Sequence, residues 1–94
     1  MLITNEIASI TILLPFQKGK EVVNQVIPFK VFRQEKQYRA IALITSEERK
    51  RAGLSDELSF TFKQNRIIAE PETNEASLMA INNIASELKL LRIV

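Results

Sequence analysis

"ITSEERKRAGLSDELSFTF", residues Ile44–Phe62, contains the change of period on which the fold turns. Thr45 is followed three residues later by Glu48, the spacing of a capping box. The threonine hydroxyl accepts from a first-turn N–H and the glutamate reaches back to the cap. Gly53 suits the left-handed position that ends a helix. A helix of about two turns is therefore predicted between them. Beyond it Leu58, Phe60 and Phe62 alternate with Ser59, Thr61 and Lys63, which is a strand with one buried face. Gln64 and Asn65 then make a hairpin turn, since asparagine tolerates positive φ. "RIIAE" returns as the partner strand, and Pro71 ends it.

Upstream, Ala8, Ile10, Ile12, Leu14 and Phe16 fall on every second position, the pattern of a half-buried strand. Gln17–Lys20 supply a turn around Gly19. A second extended run covers Glu21–Arg33. Pro28 lacks a ladder donor, so the run is either an edge strand or two short strands meeting at a kink. Arg33–Lys36 form the next turn. Tyr38–Ile44 is apolar at nearly every position and is expected to be a central strand.

Downstream, from Asn74 to Leu91, the period lengthens to 3.6. Leu78, Ile81, Ile84, Ala85, Leu88 and Leu91 are expected on one helical face, with Asn82, Asn83, Ser86, Glu87 and Lys89 largely off it. Thr73 or Asn74 can cap its start. Met79 and Leu90 fall on the opposite side. The chain therefore reads as one α+β domain, residues 1–94. It has a mostly antiparallel sheet of about five strands, one short helix, and a C-terminal amphipathic helix packed on the sheet.

Composition excludes much chemistry. The 94 residues contain neither cysteine nor histidine, which removes thiol catalysis, histidine general bases and the usual zinc ligand sets. Gly19 and Gly53 are the only glycines, so there is no phosphate-cradling loop, and Asp56 is the only aspartate, too few for a calcium loop. The carboxylate pairs Glu47/Glu48 and Asp56/Glu57 occupy charged, turn-like positions that favour solvation over a raised pKa. No catalytic residue, cofactor, metal or small-molecule substrate is expected. The amino terminus lacks a basic region before its apolar run and a small-residue cleavage site after it, so it does not read as a leader. That run, Ile7–Gln17, is too short for a membrane helix. A cytoplasmic protein without membrane association is the expectation.

The net charge of +2 is uneven. Residues 30–51 carry seven basic side chains against three acidic ones, and residues 52–94 carry four against six. The basic triplet Arg49-Lys50-Arg51 lies on a helix with almost no apolar residue. Glu47 can pair with Arg51 at i, i+4, which makes it a self-compensated surface helix.

Residues 32–71, "FRQEKQYRAIALITSEERKRAGLSDELSFTFKQNRIIAEP", resemble the DNA-binding unit of AbrB-type regulators and MazE-type antitoxins. Ile44, Glu47, Arg49, Gly53 and Leu54 match the helix of that pattern, and Leu58, Phe60, Phe62, Ile67 and Ile68 match its hairpin. The resemblance implies a swapped-hairpin dimer presenting basic residues to DNA. Arg39 and Arg49 are the residues carried over by position, with Lys50 and Arg51 as neighbouring contacts. Thr45 stands where the pattern has proline, Glu48 where it has an apolar residue, and the Leu54–Leu58 loop is about two residues shorter.

The leading functional expectation is a non-catalytic interaction or regulatory protein that binds a protein partner or itself, as a homodimer. The alternative is an AbrB/MazE-like DNA-binding regulator or antitoxin. A hydrolase or transferase acting through carboxylates comes third.

Overall fold

A computed structural model describes residues 5–92. Five strands run in chain order across one antiparallel sheet: β1 (Asn5–Lys18), β2 (Glu21–Gln34), β3 (Gln37–Ala42), β4 (Leu58–Lys63) and β5 (Arg66–Ala69). Helix α1 (Ser46–Ala52) lies in the β3–β4 connection, and α2 (Glu75–Leu90) follows the last strand. This is the expected α+β architecture. The expectation about the leader concerned a stretch whose first four residues lie outside the described residues.

The tight turns are local in origin. Gln64 and Asn65 both have positive φ, 53° and 66°, the type I′ geometry that matches the twist of a two-residue hairpin. Gly19 opens the β1–β2 turn at φ 65°. Glu35 takes φ 56° in the β2–β3 turn, where Arg33 Nε donates to its carbonyl at 3.0 Å.

The sheet curls, and its concave face holds the core. Ile10, Ile12, Leu14 and Phe16 of β1 meet Ile27, Phe29 and Val31 of β2, Tyr38, Ala40 and Ala42 of β3, and Leu58 and Phe60 of β4. Helix α2 lies against β4 and β5 on one side and β1 on the other, closing the curl. Its buried stripe is Ser77, Ala80, Ile81, Ile84, Ala85 and Leu88.

Two expectations for this helix are corrected. Leu78 and Leu91 are not core residues; they are 41% and 56% exposed. At roughly 100° per residue Leu78 falls about a quarter-turn from the centre of the stripe, and Leu91 is the C-cap, past the last helical turn. Small Ser77 and Ala80 occupy the buried positions instead, allowing close approach of the helix. Met79 and Leu90 face outward as expected.

The second run is neither two strands nor wholly an edge. β2 is one continuous strand paired with β1 from Glu21 to Arg33, but with β3 only from Phe29 onward. Pro28 explains the stop. Leu43 N–H donates to the Pro28 carbonyl at 2.8 Å, and the reciprocal bond would need an N–H that proline lacks. The β3 ladder ends there and the chain leaves for α1.

Candidate functional site

The capping box around α1 forms as the spacing predicts. Glu48 N–H donates to Thr45 Oγ1, and Thr45 N–H donates to Glu48 Oε1, both at 3.1 Å. These bonds, chiefly the backbone one from Thr45, hold the Glu48 carboxyl below its ordinary pKa. Gly53 takes φ 73° and closes the helix with bonds to the carbonyls of Arg49 and Lys50.

The four basic residues singled out from the sequence have different fates. Arg39, on β3, pairs with Glu57 at 3.1 Å. Arg49 pairs with Asp56 at 3.1 Å, its side chain only 21% exposed while the aspartate is 93% exposed. Arg51 pairs with Glu47 at 3.0 Å across one helical turn. Lys50 is exposed and makes no ion pair among the described residues. Each of the three arginines therefore presents a compensated charge. Exposed pairs of this kind contribute about 0–1 kcal/mol each to stability, but they set the local field.

The aromatic residues are committed to packing. Tyr38 stacks on Phe60 with ring centroids 5.5 Å apart, and Phe62 meets both rings edge-on. Phe60 is buried. Phe62 is half-buried, less covered than its alternation with polar neighbours suggests, and Lys89 Nζ lies 6.0 Å from its ring centroid.

An open concavity of about 210 Å³ lies between β4 and the start of α2, lined by Ser55, Glu57, Ser59, Glu70, Glu72 and Ser77 among others. Its carboxylates include Glu57, already engaged by Arg39. No group of three or more metal-ligating side chains clusters among the described residues.

The convex face is the least expected surface. Leu13 and Val26 form a cross-strand pair there, 55% and 58% exposed. Pro28 follows beside Thr11, and the Leu43 backbone is bonded to it. Ile41 opposes Lys30 on the next strand. Leu13, Val26, Ile41 and Leu43 thus give an outward apolar strip across three strands, residues the sequence reading did not single out. The signal was present in "TILLPF" and "QVIPF", where apolar residues occupy both parities of a strand and so must appear on both faces.

No protein-family model, curated protein or solved structure matches the chain. Among the described residues no helix is long and apolar enough to cross a membrane.

Proposed function

We propose that this chain is a non-catalytic interaction protein that presents the convex face of its sheet to another protein. One observation carries this reading: the outward strip of Leu13, Val26, Ile41 and Leu43, apolar side chains gathered on the solvent side of a sheet whose opposite side already holds the core. Scattered exposed aliphatics need no explanation, whereas a contiguous set marks a contact surface. Affinity capture from lysate, with and without nuclease, tests it. A protein partner retained after nuclease treatment and lost in Leu13→Asp/Val26→Asp supports the reading. Retention unaffected by those substitutions counts against this face.

DNA binding by the AbrB/MazE-like route is the second reading. The capped helix between strands, with Arg39 and Arg49 near it, is the feature that favours it. The pairing of Arg39, Arg49 and Arg51 with acids of the same chain ranks it lower, because each arginine would have to give up a carboxylate to meet a phosphate and the neighbouring acid would then repel the duplex.

A further inference from the structure

The first half of β2 has an open flank. β1 pairs with it on one side, while β3 begins opposite Phe29 and covers only the second half. From Val22 to Phe29 the strand carries no charge, and Val22, Val23 and Val26 are exposed. The other edges are treated differently. Both helices pack against β1, and β5 is only four residues long, begins with a charged residue and is contacted by α2. Short, charged or covered edges are the usual protections against pairing with another chain. Residues 22–26 have none of them.

The parity of the strand fixes which backbone groups are free. The Pro28 carbonyl points to the β3 side, where it accepts from Leu43. Along a regular strand N–H and C=O of one residue point to the same flank and alternate by residue. Val22, Asn24 and Val26 therefore direct their N–H and C=O groups to the open flank, and Val23 and Gln25 direct theirs to β1. The two-residue turn agrees, since Lys18 and Glu21 are the closing pair.

We propose that this flank pairs antiparallel with the same stretch of a second copy, about a two-fold axis at Val23. The proposal rests on the interaction reading above and adds a location and an occupant. Only even-numbered residues can exchange hydrogen bonds across such an axis. An axis at Val23 sets Val22 against Asn24 of the second copy twice over, giving four backbone bonds. With this axis Lys20 of the second copy falls opposite Val26, so its turn ends two positions short of Pro28, where Leu43 is bonded, whereas an axis nearer Pro28 would superpose the two. Val23 meets its own counterpart on the concave side, beside Phe16, and loses its exposure there. The flank is self-complementary in hydrogen bonding and, being uncharged, carries no repulsion against itself.

The test uses the full chain, which has no cysteine of its own. Facing residues in a non-hydrogen-bonded antiparallel pair have Cα atoms ~4.5 Å apart, within disulfide reach. Val23→Cys is expected to oxidise to a covalent dimer, and Met79→Cys, on the outer side of α2, is not. Light scattering after size exclusion is expected to give twice the chain mass for the wild type at micromolar concentration. Asn24→Pro removes an N–H that makes no bond within the chain, and Val22→Lys places a charge on the flank. Both are expected to run at the single-chain mass with unchanged circular dichroism. A wild type that stays at the single-chain mass, or a dimer that survives both substitutions, overturns the proposal. A single-chain wild type that still captures a protein through Leu13 and Val26 removes this dimer and leaves the interaction reading standing.

Discussion

Ser77 Oγ, fully buried at the start of α2, accepts the backbone N–H of Ser55 at 3.1 Å and lies 3.3 Å from the Ser55 hydroxyl. One turn earlier, Asn74 Oδ1 caps the same helix through Ser77 N–H at 2.8 Å while its Nδ2 donates to the Gly53 carbonyl at 2.9 Å. The end of α1 is thereby tied to the beginning of α2 by two side chains. A Cβ added at Gly53 would sit 3.3 Å from the Ala76 Cβ.

This junction predicts a graded series. Asn74→Ala should cost about 0.5–2 kcal/mol, since it removes a helix cap together with the tie to Gly53. Gly53→Ala should cost roughly 1–2 kcal/mol from the left-handed backbone alone, and more if Ala76 cannot shift. Ser77→Ala should fall near 1 kcal/mol, the net worth of a neutral hydrogen bond, because the Ser55 N–H can reach water instead. Urea denaturation midpoints check the order, with Gly53→Ala not the mildest.

Glu48 predicts a pH response confined to α1. Its carboxyl titrates below the ordinary glutamate value because Thr45 donates to the charged form. A folded pKa depressed below the unfolded one gives a contribution that is complete above the unfolded value. That contribution is lost as pH falls through the folded value. Carbon-detected NMR of the Glu48 carboxyl should therefore show a low midpoint that rises toward the ordinary range in Thr45→Pro, which removes the backbone donor together with the hydroxyl. An unchanged midpoint in that variant would mean the capping box is not the cause.

Leu88 is fully buried between the sheet and the rest of α2. Leu88→Ala should cost roughly 2–5 kcal/mol, the range for truncating a leucine in a packed core. Leu90, two residues on and 76% exposed, is the internal comparison. Its replacement by alanine should stay within about 0.5 kcal/mol, as surface changes do. Equal effects at the two positions would contradict the packing of α2 described above.

What the amino-acid sequence disclosed was the part of the fold decided by near neighbours. The capping box at Thr45 and Glu48, the left-handed Gly53 and the Gln64–Asn65 turn each depend on a few consecutive residues. Arg51 with Glu47 was legible for the same reason. The ion pairs Arg39–Glu57 and Arg49–Asp56 were not, because they depend on how β3, α1 and the following loop come together. Leu78, expected inside, is exposed and the small Ala80 is buried instead, because periodicity weighs hydrophobicity and not the distance at which a helix approaches a sheet. Pro28 was visible as a residue that disrupts a ladder. Which ladder it disrupts depends on the strand lying opposite, and that register is set by the β2–β3 turn six residues away.

The ion pairs around α1 yield the last prediction. If Arg39, Arg49 and Arg51 remain engaged with Glu57, Asp56 and Glu47, Lys50 is the one residue of the four free to meet a phosphate. Each phosphate contact contributes about −0.9 to the slope of log affinity against log salt. The contribution of these four residues to the wild-type slope should then be about −1 per chain on random duplex, read as the change on Lys50→Ala, and binding should vanish near physiological ionic strength. Replacing the three acids with Glu57→Gln, Asp56→Asn and Glu47→Gln should free the arginines and steepen the slope by up to about three further contacts. Fluorescence anisotropy between about 50 mM and 200 mM salt, the range in which such contacts are lost, reads both. An Arg39→Ala/Arg49→Ala variant sets the baseline. Tight binding by the unmodified chain that persists at the higher salt and disappears in the arginine variant would show that DNA breaks these pairs on contact, and would move the AbrB/MazE-like reading to first place.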